Sequence, residues 1–287
     1  MLIVSLKEIN ELEKLYDLVD GIVVYTSDFS SFYNKAYNLD EIKDIYKLKK
    51  NLNIFIDLSQ MMENSDINKL SQFLDSLDGY DVNYIYSDLG VHQLLKDKGI
   101  ENRGIYNPST LITNEYDLEF YLNQNMLSAS VSLEIPVKDI IQISEKNNHN
   151  LFLKSFGYHQ MFHSKRHLID LYLEHINKTH TIDNQNSYLR EQKREDLYHI
   201  YQSNKGTLLF RSYVINYIDY IKDIKPKFIF LDNIFINSNE FLEVVNVYSK
   251  YLKNIYDLET SLNILNKLSF KIEDGFKYQD TVYQKEK

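Results

Sequence analysis

Leu151-Phe-Leu-Lys-Ser-Phe-Gly-Tyr-His-Gln-Met-Phe-His-Ser-Lys-Arg-His-Leu168 is the stretch on which the reading of this chain turns. It opens as a short apolar strand, Leu151 to Leu153, breaks at Gly157, and then gathers Tyr158, His159, His163, Lys165, Arg166 and His167. Six of the eight histidines lie between His159 and His199. A buried strand that runs into a glycine turn and a polar cluster is how an α/β protein builds a site at the carboxyl end of a strand. The plain alternative is a solvated loop that leads into a basic helix start.

The flanking sequence alternates. Gly21–Tyr25, Asn53–Leu58, Val82–Tyr86, Arg103–Tyr106 and Ser128–Leu133 are apolar runs of strand length, and Leu151–Leu153 is the sixth. Between them lie segments with apolar residues at helical spacing, such as Ile42, Ile45, Tyr46 and Leu48 behind an Asn38 cap. After the central stretch the alternation pauses. Arg166–Asn177 reads as a short helix. Asp196–Tyr201 and Thr207–Phe210 read as a hairpin around Asn204-Lys-Gly206, an insertion spanning residues 188–210. A helix over Val214–Lys222, a strand at Lys227–Leu231 and a long helix capped by Asn239 complete the pattern.

Strands alternating with helices imply βαβ units and a parallel sheet. With the second hairpin strand counted as the seventh, about eight units result, the number needed by a (β/α) TIM-like barrel. The rival is an open doubly wound sheet. Against it, Tyr25-Thr-Ser-Asp-Phe29 is no glycine-rich nucleotide turn, and no G-x-x-x-x-G-K occurs. We expect one barrel domain over residues 1–256 with the inserted hairpin, and a C-terminal extension, 257–287, packed on it.

Composition narrows the chemistry. The chain has 287 residues, 44% hydrophobic and 25% charged, and a net charge of −9. A negative total argues against a surface devoted to gripping DNA. Cysteine is absent, which removes thiolate-held zinc, iron–sulfur clusters and a cysteine nucleophile. Met1-Leu-Ile-Val-Ser-Leu-Lys7 is too short for a signal peptide and no run is long enough to span a bilayer, so a cytoplasmic protein with no membrane partner is the expectation.

In a parallel barrel the site lies at the carboxyl ends of the strands. There the sequence puts Tyr25 and Ser27, Asp57, Asp88, Asn107 and Ser109, Glu134, Ser155, Tyr158 and His159, Arg211 and Ser212, and Asp232 and Asn233. Asp57, Asp88 and Glu134 have the chance to converge on a cation or a proton transfer, or each caps a helix or pairs with an arginine. His159, His163 and His167 are spaced by four, as on one helix face, but His159-Gln-Met-Phe-His163 lacks the glutamate of H-E-x-x-H, and no metal site is expected. Lys154, Lys165, Arg166, Arg190, Lys193 and Arg194 interleave with tyrosines, a mix that holds phosphates and stacks on bases unless Glu191, Glu195 and Asp196 neutralise it.

Phe156-Gly-Tyr-His-Gln-Met-Phe-His-Ser-Lys-Arg-His-Leu168 resembles the F-G-Y-x-x-M-F-x-S-x-R-x-L signature of the collagenase-like peptidases of family U32, in its short, cysteine-poor Gram-positive branch. Ser132-Leu-Glu-Ile-Pro-Val-Lys-Asp-Ile140 is similar to the family's S-x-E-x-P-x-x-D-I step. Glu191 to Arg194, Tyr198 to Tyr201 and Gly206-Thr207 resemble its hairpin, with His199 in place of a proline. Asp274-Gly-Phe-x-Tyr278, continued by Thr281-Val-Tyr283, resembles the branch's closing motif. The resemblance implies a barrel and either of two activities. One is peptide cleavage. The other is hydroxylation, as in prephenate-dependent hydroxylation of the tRNA wobble uridine by members that carry a four-cysteine iron–sulfur cluster. In Gram-positive genomes the short branch resembles the first of two paired proteins, whose longer partner bears the cysteines. The expectation is therefore a non-cluster subunit in a heteromer, with the cluster and prephenate belonging to the partner and tRNA a possible ligand. A non-catalytic scaffold is the remaining alternative. Of the strand-end residues, Glu134, His159 and Arg211 are the candidate catalytic residues. Tyr158, His163, Lys165, Arg166 and Arg194 are the candidates for binding substrate or tRNA.

Overall fold

The computed structural model describes residues 1–179, 182–193 and 195–279. Eight strands form a closed parallel barrel: β1 (Leu2–Ser5), β2 (Gly21–Tyr25), β3 (Asn53–Leu58), β4 (Val82–Tyr86), β5 (Gly104–Tyr106), β6 (Ser128–Ser130), the first part of β7 (Leu151–Ser164), and β11 (Phe228–Leu231). Each pairs in parallel with the next, and β11 closes the ring by pairing with both β7 and β1. Closure removes the sheet edge that an open doubly wound sheet leaves.

Helices fill the connections: α1 (Leu12–Leu15), α2 (Leu39–Leu48), α3 (Asn64–Asp75), α4 (Leu89–Asp97), α5 (Glu115–Leu122) and α6 (Val137–Lys146) lie between β1 and β7. Capping explains where they start. Asn38 accepts a hydrogen bond from the Glu41 amide while the Glu41 carboxylate takes the Asn38 amide, a reciprocal box that satisfies two donors. Among the described residues no helix is long and apolar enough to cross a membrane.

The count of eight strands is reached by a different route from the one the sequence suggested. Leu2–Ser5, four buried residues, is the first barrel strand, and the second hairpin strand is not a barrel member. That strand, β10 (Gly206–Asn216), runs antiparallel to β7, so it cannot occupy a parallel position. It carries β9 (Leu197–Ser203) and the edge strand β8 (Tyr188–Arg190), making a three-stranded arm that grows off the barrel. The hairpin turn is Asn204-Lys205, between Ser203 and Gly206.

Gly157 does not end the central strand. β7 runs on through it to Ser164, 14 residues in all, and its partner changes from β11 to β10 at Phe156–Gly157. Gly157 has φ +129°, and a Cβ there would sit 2.8 Å from the Asp232 carbonyl oxygen, so glycine is required by both conformation and space. Three other boundaries move. The helix after β7 is α7 (Leu168–His175), β10 extends to Asn216 before the short α8 (Ile221–Ile224), and Asn237, not Asn239, caps α9 (Ser238–Leu252). After α10 (Leu258–Leu265) the chain returns along the barrel's flank. Ile272 bridges Val214, Phe270 meets Phe156, and buried Lys277 pairs with Asp219 at 3.1 Å while its carbonyl accepts the Val137 amide.

Candidate functional site at the barrel mouth

Side chains alternate across a strand, so every second residue of a barrel strand points inward. The lower inward layers are apolar: Ile3, Val23, Phe55, Ile85, Ile105, Phe152, Phe228 and Phe230 form one buried cluster inside the barrel. Two residues further along, each wall turns polar. The step is Ile3 to Ser5, Val23 to Tyr25, Phe55 to Asp57, Ile85 to Ser87, Ile105 to Asn107, Phe152 to Lys154 and Phe230 to Asp232, with Ser130 completing the ring on β6. Seven of these eight, all but Ser5, line a cavity of about 470 Å³ at the mouth. The overhanging half of β7 forms one side of it with His159, Gln160, Met161, Phe162 and His163.

A hydrogen-bonded chain crosses the floor of this cavity. Lys154 Nζ lies 2.6 Å from Asp232 Oδ2 and also donates to the Tyr158 carbonyl at 2.8 Å. Asp232, fully buried, accepts from the Tyr25 hydroxyl at 3.0 Å through Oδ1. Burial, with Asp232 and Asp57 nearby, holds the Tyr25 phenol well above its usual range. Asp57 stands across the barrel from Lys154, since β3 and β7 are four strands apart around the ring. Its Oδ1 takes the Ser59 hydroxyl at 2.6 Å and the Ser59 amide at 3.2 Å. Burial pushes its carboxyl up to about 6, against the pull of hydrogen bonds from Ser59 and Ser30, and Asp232 adds to the rise.

At the upper edge the structure brings together Glu134, His159 and Arg211. Arg211 Nη2 is 3.2 Å from Glu134 Oε1, and His159 Nε2 is 4.0 Å from the same oxygen. Arg211 also lies over the Phe276 ring at 4.6 Å. His159 is 6% exposed and its Nε2 has no hydrogen-bond partner. Burial first, then Lys154 and Arg211, lower its pKa to about 3, so the ring is neutral. His163 Nε2 is likewise unpartnered, and its pKa is lowered chiefly by burial.

Other expectations fare differently. The three carboxylates do not converge. Asp88 caps α4, accepting the Gly90 and Met62 amides at 2.7 and 2.9 Å, and Glu134 is tied to Arg211. His159 and His163 share a strand wall, not a helix face. Tyr158, one residue out of phase with His159, points the other way. It packs buried against His199 at 4.6 Å and Phe235 at 5.8 Å, with its pKa raised by burial to about 12. Lys165 and Arg166 are exposed beyond the overhang, Lys165 paired with Glu63 at 2.8 Å. Arg194 lies outside the described residues, as does the Thr281-Val-Tyr283 motif. Among the described residues no three potential ligand side chains gather as a metal site. Lys154, the centre of the floor, reads in sequence only as one member of a cationic run. The signal that finds it is the two-residue step from Phe152.

Comparison with known proteins agrees with this architecture. The tRNA hydroxylation protein P2 of Bacillus subtilis (strain 168) is 20% identical over 254 residues, covering 82% of each chain. The solved U32 peptidase Mk0906 superposes with a TM-score of 0.50 at 13% identity, over 80% of this chain and 91% of its own, a likeness of fold. The family model described as Peptidase family U32 matches residues 12–284, nearly the whole barrel and its arm, and the chain belongs to that family.

Proposed function

We propose that this chain is the non-cluster subunit of a tRNA hydroxylase, acting in the cytoplasm beside a longer, cysteine-bearing relative on the wobble uridine. The observation that carries the reading is the double role of β7. One stretch supplies a wall of the mouth through Lys154, His159 and His163, and ends in the exposed cations Lys165 and Arg166. A formed polar cavity beside a basic rim suits a subunit that holds a nucleic acid backbone while a small reactant is handled below it. The family relative named for tRNA hydroxylation supports the same direction. An iron–sulfur cluster on thiolates has no ligand in this chain, which contains no cysteine. The cluster, and the prephenate used with it, belong in this reading to the partner.

The test is mass spectrometry of tRNA nucleosides from cells lacking this chain, with a complemented control. Loss of 5-hydroxyuridine derivatives, restored by the gene, is expected, as is co-purification with a cysteine-bearing relative. An unchanged nucleoside profile in cells that normally carry the modification, with no redundant enzyme, overturns the proposal. Cleavage of gelatin or casein by the pure chain, abolished by one point change, would put peptidase activity in its place.

A further inference from the structure

The charges that face the mouth do not balance. From β7 come Lys154, His159 and His163; from the end of β11 comes Asp232; from β3, Asp57; from β2, the Tyr25 phenol. Lys154 and Asp232 neutralise each other at 2.6 Å, and both imidazoles are neutral. Asp57 remains. It is 6% exposed, and among the described residues no ammonium or guanidinium pairs with it. A buried carboxylate facing a cavity without a counter-ion is costly and attracts a cation.

The surroundings specify what kind of cation. No three ligand side chains gather as a metal site among the described residues. Two aromatic rings share this cavity with Asp57: Tyr25, on the neighbouring strand, and Phe32, whose ring centre is 6.0 Å from that of Tyr25. Aromatic faces favour ammonium groups and their attached carbons. The unpartnered imidazole nitrogen of His159, more than nine-tenths buried on the cavity wall, is able to accept an N–H hydrogen. We propose that the barrel mouth binds a small organic ammonium ion, with Asp57 as its counter-ion and Tyr25 and Phe32 beside its carbon skeleton. The inference rests on the mouth being the functional site of the proposed reading, and it specifies a ligand class for that site.

The experiment is calorimetric titration of the intact chain with benzylamine, with benzyl alcohol as the uncharged isostere and benzoate as the anion. Benzylamine is expected to bind one to one at neutral pH, roughly tenfold or more tighter than either comparator. Its affinity should fall as pH drops through about 6, where Asp57 takes a proton. Asp57→Asn should remove the preference of amine over alcohol. In wild-type protein, amine binding coupled to proton release at mildly acidic pH reports the same contact without a variant, so a misfolded D57N chain does not decide the matter. Equal affinity for amine and alcohol, tighter binding of benzoate through Lys154, or an amine preference that survives in folded D57N overturns the inference. Failure here with loss of the tRNA nucleosides in vivo would reject the ligand class and leave the hydroxylation reading standing. Amine binding with an unchanged nucleoside profile would do the reverse.

Discussion

The interior of this barrel has two storeys built on the same strands. The lower one, with Phe55, Phe152 and Phe228, is buried and apolar. The upper one, with Asp57, Lys154 and Asp232 further along those strands, is polar and opens to a cavity. Backbone, twist and curvature are shared, so the difference lies in side-chain chemistry alone. A barrel holds itself together with one inward layer and leaves the next free for function, because the strand period carries each layer to its own height.

Removing one side chain from each storey of β7 should separate the two layers most strongly. Phe152→Ala leaves a cavity in a closed apolar layer and should cost about 4 kcal/mol in denaturant unfolding. Lys154→Ala should cost about 3 kcal/mol for a different reason: it strands Asp232, buried and charged, without its ammonium. Lys154→Met combined with Asp232→Leu should recover most of that loss. A double variant as unstable as the single would mean that the upper storey is packing like the lower.

A milder perturbation exploits opposite pH behaviour on the two sides of the mouth. The folded-state pKa of Asp57, about 6, lies above its ordinary value of 3.8. Its charged form is disfavoured by folding, so its favourable contribution is present below about pH 4 and lost as pH rises through about 6. The folded-state pKa of His159, about 3, lies below its ordinary 6.5, and that of His199 is about 4. Their contribution is present above about pH 6.5 and lost as pH falls toward those values. Between roughly pH 4 and 6 the terms oppose. Asp57→Asn should therefore raise stability at neutral pH by about 2 kcal/mol and steepen the loss on acidification. His159→Gln should flatten that loss. Melting curves across this range check both. A destabilised D57N protein at neutral pH would mean that Asp57 is held by its Ser59 bonds more than it is penalised by burial.

The sequence carries much of this division, unevenly. Alternating strands and helices made the barrel legible, and strand-end position alone pointed to Tyr25, Asp57, Asn107, His159 and Asp232. Lys154 was as visible as Asp57 in the two-residue step from Phe152, but its charge grouped it with surface cations. Gly157 looked like a stop because glycine weakens a strand locally. Its continuation is dictated by β10, some fifty residues later, and by the Asp232 backbone against which it lies, and neither is local information. The same gap explains Leu2–Ser5: three apolar residues and a serine are too few to announce a strand until β11 and β2 flank them. Tyr158 and His159 lie together at one strand end in the sequence, but adjacent residues of an extended strand face opposite ways. Because β7 stays extended through both residues, only His159 reaches the cavity.

The smallest effect is expected where the upper storey meets solvent. Lys165 is exposed beyond the overhang, and its bridge to Glu63 joins two solvated side chains. Lys165→Ala should change stability by no more than about 0.5 kcal/mol, because exposed pairs gain little after screening and side-chain ordering. If the rim holds a phosphate backbone, the same change should weaken tRNA binding across sequences alike. It should also reduce the slope of log affinity against log salt by about one contact, with the cavity's small-molecule binding intact. Filter binding at several salt concentrations separates the two storeys. A variant that loses tRNA affinity without a change in salt slope would show that Lys165 acts by shaping the overhang, and would join the rim to the mouth as one site.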